Sequence, residues 1–200
     1  MEKAEELLNK IDNDLKKVLS EKRYNHSLGV MKNADELAKI YKIDIDKAKL
    51  VGLAHDIGKE LSKEEMLEYA RKNNIEADSV EEVNVGLLHA KIGADICKKK
   101  YGFSQDMQNA IKYHTVGSEN MDLLAKIIYV ADKIEDGRTY KDEEKMKELQ
   151  VVRDLATKDI NKALVYEIDS SITYTIQKHK LIHPDSILTR NMLLKVFISI

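Results

Sequence analysis

The chain has 200 residues, a length that suits one domain with a sizeable core. Its 43% hydrophobic and 34% charged residues are typical of a globular protein. A net charge of −2 excludes a strong overall electrostatic attraction to nucleic acid or to a membrane. The single cysteine, Cys97, excludes an internal disulfide and fits a reducing compartment. The N-terminus is acidic and no segment is apolar enough to span a bilayer, so we expect no signal peptide and a cytoplasmic location.

Hydrophobic residues recur at helical spacing along the chain and predict an all-α fold. A first amphipathic helix is predicted over about residues 3–19. Ser20 can cap a second helix, and Asp44 can cap a third that reaches His55. The run from Ser62 to Glu65 has the pattern of a capping box and predicts the start of a fourth helix.

The second half of the chain continues this helical pattern. Ser79 with Glu82 repeats the capping-box spacing before residues 83–89, and the next helix runs to Lys100 and ends at Gly102. The further predictions are a helix capped by Ser104 that reaches His114, an apolar helix from Met121 to Asp136 that contains Asp132, and tail helices at about 142–156, 159–180 and 185–198 with Pro184 in the first turn of the last.

The segment from Val51 to Lys59 places His55 and Asp56 side by side at the end of an apolar helical run. Neutral imidazole and carboxylate are both good ligands for divalent metals. Adjacent residues on a helix point about 100° apart, so the two cannot bind one ion unless the helix distorts or ends there. We expect Gly58 to be the residue that lets it end. A lone His-Asp pair is a weak signal, and its meaning depends on the rest of the chain.

Other candidate ligands share this setting. His26, His89 and His114 each lie beside apolar residues in a predicted helix or at its end, and Asp132 lies in an apolar helix. One such histidine is more often a core residue that bonds to the backbone. A buried carboxylate without a partner, however, costs several kcal/mol or shifts its pKa until it is neutral, and metal coordination removes that cost.

Several segments together resemble the HD-domain metal-dependent phosphohydrolases, and most closely their YqeK-type branch of symmetrical diadenosine tetraphosphate hydrolases. The similar segments are Arg23–Val30, Gly52–Lys59, Leu87–His89, Tyr113–Thr115, Tyr129–Glu135, Leu181–Pro184 and Arg190-Asn191. The resemblance covers about residues 20–195. It implies a single HD-domain helical bundle over residues 1–200, with the metal site in a core at about 20–140 and C-terminal helices 141–200 packed on it.

The resemblance also implies roles for the candidate residues. His26, His55, Asp56 and Asp132 would hold a first metal ion. Asp56 could bridge to a second ion held by His89 and His114, or those two histidines could instead hydrogen-bond phosphates. The expected metal is iron, as one or two ions, with manganese, cobalt and zinc as alternatives. We assign the catalytic role to Asp56, Lys59, His89 and His114.

Cations are also needed at the phosphoryl oxygens. Besides His89 and His114, we choose Arg23, Lys59 and Arg138 for these contacts, with Thr115 as a hydroxyl donor. The alternative for each cation is an ordinary solvated surface charge. The family usually has a proline at the position of Asp136, and the Asp136-Gly137 pair found here could shift Arg138.

We therefore predict metal-dependent hydrolysis of diadenosine tetraphosphate to two ADP by activated water. The predicted partners are this nucleotide and ADP, with no nucleic acid and no membrane; a homodimer is left open. The alternatives are an HD-type nucleotidase or phosphodiesterase for a smaller nucleotide, and a non-catalytic nucleotide sensor. We expect Cys97 in the core, and His179 and His183 at the surface or on the substrate side and not as ligands.

Overall fold

The computed structural model describes residues 2–138 and 142–198; of the predicted domain, residues 1, 139–141, 199 and 200 lie outside this description. Within the described ranges the chain forms α-helices and no strand, so the all-α prediction is confirmed. None of these helices is long and apolar enough to cross a membrane. The helices are α1 Glu2–Val18, α2 Glu21–Tyr41, α3 Ile45–Ala54, α4 Lys63–Lys72, α5 Ser79–Val83, α6 Leu88–Tyr101, α7 Gln105–Tyr113, α8 Leu123–Ile134, α9 Glu143–Ala156, α10 Ile160–Gln177 and α11 Pro184–Ile198.

Several helix ends are capped by the residues that the sequence analysis predicted. The Asp44 carboxylate accepts from the backbone N–H of Lys47, and Ser62 and Glu65 form both hydrogen bonds of a capping box. Gly102 ends α6 with a φ of 67°, a left-handed conformation that glycine adopts without steric cost.

Other caps differ from the prediction. The capping box of α5 uses Asp78 and Glu81, one residue before the predicted Ser79 and Glu82, because the Asp78 carboxylate accepts from two backbone N–H groups of the first turn. Ser20 stands at the start of α2 without a capping bond, since its hydroxyl donates to Glu60 Oε1 at 2.6 Å.

The apolar helix α8 is shorter than the predicted 121–136. The Asp122 carboxylate accepts from the backbone N–H of Ala125 and so starts the helix at Leu123. At the other end Glu135 has a ψ of 148°, an extended conformation that stops the helix after Ile134. Asp132 nevertheless lies within α8, as predicted.

The buried helix α8 organises the packing. Helices α2, α3 and α7 pack on α8, and α9 and α10 also contact it, while α11 packs on α10. Core side chains such as Leu53, Ile128 and Leu164 are almost fully buried. A smaller apolar cluster that includes Met66 and Ile92 joins α4 to α6. The helix ends around α8 therefore converge on one side of the core.

The prediction that the C-terminal helices pack on the core as one domain can be tested with Leu164, a completely buried residue of α10. Leu164→Ala should lower the free energy of unfolding by about 2–5 kcal/mol, because it opens a cavity in the core. Urea unfolding followed by circular dichroism should show one shifted transition. Leu188→Ala is the control, since Leu188 is 43% exposed, and it should change stability by less than ~0.5 kcal/mol. Two separate transitions in Leu164→Ala would show that the C-terminal helices fold as a separate unit.

Candidate metal centre

The structure brings the six predicted ligands together from five parts of the chain. His26 comes from α2, His55 and Asp56 from the turn after α3, His89 from the start of α6, His114 from the end of α7, and Asp132 from α8. His26 is half-buried and the other five are buried. The imidazoles of His26, His55, His114 and His89 follow one another with ring centroids 5.2, 5.1 and 5.1 Å apart.

Three of these imidazoles are oriented by their own helices. Each donates its Nδ1–H to the backbone carbonyl three residues earlier, and because a carbonyl can only accept, the proton lies on Nδ1. The lone pair of each neutral ring is thus left on Nε2, which faces the centre. The distances are 2.8 Å from His55 to Gly52, 2.5 Å from His89 to Gly86 and 2.6 Å from His114 to Ile111.

Burial keeps these rings neutral. It lowers the pKa of His55 from 6.5 to about 4 and is also the main cause of the lowered pKa of His89 and His114. At neutral pH three uncharged rings therefore present nitrogen lone pairs to the buried carboxylates. Neutral imidazole is the form that binds metal.

Within the centre, two groups of side chains have ligand atoms that lie within 4.8 Å of one another. His26, His55 and Asp132 form the first group, in which His26 Nε2 lies 3.1 Å from Asp132 Oδ1. His55, Asp56 and His114 form the second, so His55 belongs to both. All of these atoms are of the types that divalent transition metals prefer.

The hydrogen bonding of the centre fits a bound cation. His55 Nε2 and Asp56 Oδ1 are buried and have no hydrogen-bond partner within residues 2–138 and 142–198. His89 Nε2 and His114 Nε2 lie 3.2 Å apart, and with both protons on Nδ1 their lone pairs face each other. Unpaired buried polar atoms are costly, and a metal ion would satisfy them. The residues present therefore suit a divalent metal.

The turn that carries His55 and Asp56 corrects one expectation. Helix α3 ends at Ala54, four residues before Gly58, and Gly58 does not have a positive φ. A Cβ atom at Gly58 would instead lie 2.9 Å from the carbonyl oxygen of His89. The prediction that Gly58 ends the helix is thus wrong: this glycine lets the start of α6 approach the turn.

The two carboxylate oxygens of Asp56 face different partners. Oδ2 accepts from Arg23 Nη1 at 3.0 Å, whereas Oδ1 lies 3.3 Å from His89 Nε2 and 3.5 Å from His114 Nε2. The pKa of Asp56 lies well below its ordinary value although burial opposes ionisation, and the positive charge of Lys59 is one of the causes. Asp56 therefore lies between Arg23 on one side and His89 and His114 on the other.

The predicted cations lie around the centre. Lys59 Nζ donates to His89 Nε2 at 3.0 Å, and burial lowers the pKa of Lys59. Arg138 donates from Nη2 to the backbone oxygen of Asp132 at 3.0 Å, and its own N–H closes a turn to Glu135 O. The Asp136-Gly137 pair thus forms a tight turn that keeps Arg138 beside Asp132. Thr115 has a buried hydroxyl without a hydrogen-bond partner.

Three residues that the sequence analysis did not select support the ligands. Glu135 Oε1 lies 3.4 Å from His26 Nδ1, and Lys133 Nζ donates to Asp132 Oδ2 at 2.7 Å. A Cβ atom at Gly29 would lie 2.7 Å from Glu135 Oε2, so glycine at this position leaves room for that carboxylate. The available signal was helical spacing, because Gly29 and Glu135 each follow a predicted ligand by three residues.

The three remaining predicted positions, those of Cys97, His179 and His183, differ in burial. Cys97 is buried in the core, as predicted, and burial raises its pKa. His179 is exposed, whereas His183 is only 8% exposed and its Nε2 donates to Asp78 Oδ2 at 2.7 Å. Of the two predicted positions for His183, the surface is wrong, because the start of α11 holds this residue against α5; the substrate side stays a prediction.

The family model of the HD domain matches residues 23–137, which include all six candidate ligands. The chain belongs to the HD domain family. The predicted family membership is thereby confirmed.

Relatives of this HD domain protein cover almost its full length. It is 38% identical to the symmetrical bis(5'-nucleosyl)-tetraphosphatase of Halalkalibacterium halodurans, over 88% of this chain and 91% of that one. It is 37% identical to the protein of the same name from Bacillus subtilis, over 90% of this chain and 93% of the relative. A crystal structure from Clostridium acetobutylicum, described as a predicted HD superfamily hydrolase involved in NAD metabolism, matches with a TM-score of 0.87 and 41% identity, over 94% of this chain and 96% of that one.

The buried histidines predict a pH dependence of stability for the metal-free protein. The pKa of His55 falls from 6.5 to about 4 on folding, so its contribution is present above about pH 6.5 and is lost as the pH falls toward 4. His89 and His114 act in the same direction, and His26, whose pKa is raised, opposes them.

Urea unfolding in the presence of a chelator should therefore give a lower free energy of unfolding at pH 5.5 than at pH 7, by about 1 kcal/mol from His55 alone. The control is His179→Ala, because His179 is exposed and its removal should leave this difference unchanged. Equal or greater stability at pH 5.5 would contradict neutral buried imidazoles.

Proposed function

We propose that this HD domain protein hydrolyses diadenosine tetraphosphate symmetrically to two ADP. The observation that carries the proposal is the buried group of four histidines and two aspartates, with Lys59, Arg23 and Arg138 beside it. The names of the relatives support the choice of substrate, since they match over about nine tenths of both chains.

The proposed first metal site consists of His26, His55, Asp56 and Asp132. A divalent ion held there would lower the pKa of bound water and offset the negative charge of the phosphates. The imidazole nitrogen of His55 has one lone pair and can serve only one ion. Asp56 Oδ1 and the two further histidines, His89 and His114, would then face a second ion or the phosphate oxygens.

The cations around the centre would position the substrate. Arg23 already donates to Asp56 Oδ2 at 3.0 Å and has further N–H groups for a phosphate oxygen. Lys59 has three ammonium donors, of which one serves His89, so it can also stabilise the phosphate of the departing ADP. Arg138 beside Asp132 and the hydroxyl of Thr115 complete the proposed phosphate contacts.

Direct attack of water on phosphorus is the proposed reaction. The only cysteine is buried in the apolar core and has a raised pKa, which makes it a poor nucleophile. Attack at the second phosphate of the tetraphosphate breaks the central anhydride bond and releases two ADP molecules. Iron as the metal, a cytoplasmic location and a homodimer are further parts of the proposal.

The site of bond breakage can be tested with diadenosine tetraphosphate in heavy-oxygen water. A single turnover should give ADP alone and should label the terminal phosphate of one of the two ADP molecules, as read by mass spectrometry. Formation of AMP and ATP would show that the substrate binds with a different phosphate at the metal centre. Release of phosphate from mononucleotides without cleavage of this substrate would support a nucleotidase, and binding without turnover at full metal occupancy would support a sensor.

The metal assignment predicts the properties of two variants. Asp56→Ala should remove bound metal and reduce turnover by more than ~100-fold, because it takes a proposed ligand from beside His55 and His114. His89→Ala should reduce turnover while the first ion stays bound. Metal analysis of protein purified without chelator measures the first effect, and Asp35→Ala, which removes a half-buried carboxylate of α2 that pairs with Lys39, is the control. Full metal content and turnover in Asp56→Ala would contradict the assignment.

A further inference from the structure

A cavity of about 300 Å³ is lined by residues that adjoin two of the candidate ligands along the chain. Its walls come from α5, the start of α6, the loop after α7 and the start of α11. Ala90, which follows His89, lines this cavity, and so do Tyr113 and Thr115 on the two sides of His114. The cavity therefore begins one residue away from two of the imidazoles that face Asp56.

The wall formed by the loop after α7 is held in place. Ser186 donates its hydroxyl hydrogen to the carbonyl oxygen of Val116 at 2.9 Å. Gly117 has a φ of 82°, and a Cβ atom there would lie 2.6 Å from the hydroxyl of the fully buried Thr189. These contacts fix the loop against α11, so the cavity is preformed, as ligand sites usually are.

The acidic groups at one end of the cavity already have cations. The ligand atoms of Asp78, Glu81 and His183 lie within 4.8 Å of one another and could be taken for a metal site. However, Lys91 Nζ lies 2.5 Å from Glu81 Oε2, and His183 Nε2 donates to Asp78 Oδ2 at 2.7 Å. Lys91 thus supplies the positive charge that a metal would bring, and we assign this group to the cavity wall.

The charges of the lining select a class of ligand. The lining contains three carboxylates, those of Asp78, Glu81 and Asp185, and two lysine side chains, those of Lys91 and Lys112. This excess of negative charge disfavours phosphate and favours neutral groups that donate hydrogen bonds. Ribose hydroxyls and the amino group of adenine are such donors.

Two further side chains suit a nucleoside. Tyr113 belongs to the lining, and aromatic rings stack on bases. Thr115, the proposed hydroxyl donor to phosphate, also lines the cavity, and its buried hydroxyl has no hydrogen-bond partner among the described residues. A volume of about 300 Å³ is at the lower end of the range for ligand sites, which suits a nucleoside better than a complete dinucleotide.

We propose that this cavity binds one of the two adenosine ends of the dinucleoside substrate, while the phosphates cross the metal centre beside His89 and His114. The assignment rests on the proposed function for the identity of the ligand. It adds a binding site for the part of the substrate that does not react, which supplies binding energy and fixes the register of the phosphates.

The test uses an analogue of diadenosine tetraphosphate in which a methylene group replaces the central bridging oxygen, so that binding is measured without hydrolysis. Asn120 lines the cavity and is exposed, so Asn120→Trp should block the opening with little cost to the fold. Glu119→Trp is the matched control, because Glu119 is the exposed neighbour outside the lining. Titration calorimetry of the metal-loaded proteins should show about tenfold weaker binding for Asn120→Trp alone.

Tripolyphosphate serves as a probe without nucleosides and should bind equally to the wild type and both variants. Equal binding of the analogue to Asn120→Trp and the wild type would overturn the proposal. So would a parallel loss of tripolyphosphate binding, which would place the effect at the metal centre.

Turnover of diadenosine tetraphosphate by the wild type separates this inference from the proposed function. Selective loss of analogue binding in Asn120→Trp, together with no turnover by the wild type, would support the cavity and overturn the hydrolysis. Normal turnover with unchanged analogue binding in Asn120→Trp would support the hydrolysis and overturn the cavity. No binding of the analogue to the wild type would overturn both.

Discussion

The hydrogen bond from each histidine Nδ1 to a carbonyl three residues earlier is the interaction on which the centre depends. His55, His89 and His114 all use it, at the end or start of a helix where such carbonyls are accessible. The bond fixes both the direction of the ring and the position of its proton. Burial then keeps the rings neutral, so three Nε2 lone pairs lie near Asp56, and the one on His89 also accepts from Lys59.

The convergence of the helix ends requires close backbone contacts, and glycines permit them. At Gly52 a Cβ atom would lie 3.0 Å from the Cα atom of Met31, and at Gly58 it would lie 2.9 Å from the carbonyl oxygen of His89. These two positions set the distances from α3 to α2 and from its following turn to α6. The same absence of a side chain at Gly29 leaves room for Glu135 beside His26. Small residues therefore determine the spacing of the ligands as much as the ligands themselves do.

The charge of the side chains around the centre differs from the charge of those that line the neighbouring cavity. Arg23, Lys59 and Arg138 concentrate positive charge at the carboxylates of the centre, where phosphates would bind. The neighbouring cavity has an excess of carboxylates and an ion pair between Lys91 and Glu81. Such a division matches a ligand with charged phosphates in the middle and neutral, hydrogen-bond-donating ends.

The sequence alone determined the helical fold, because apolar periodicity is a local property. The resemblance to a family selected the six candidate ligands, and their role as ligands stays a prediction. The sequence could not place the cap of α5, since Asp78 and Ser79 are both good capping residues and the path of the chain decides between them. Only the tertiary structure gave Gly58 its role, paired His183 with Asp78 and brought Glu135 to His26. These contacts join residues that are far apart in the chain, and their distances follow from how whole helices pack, which no local pattern of residues encodes.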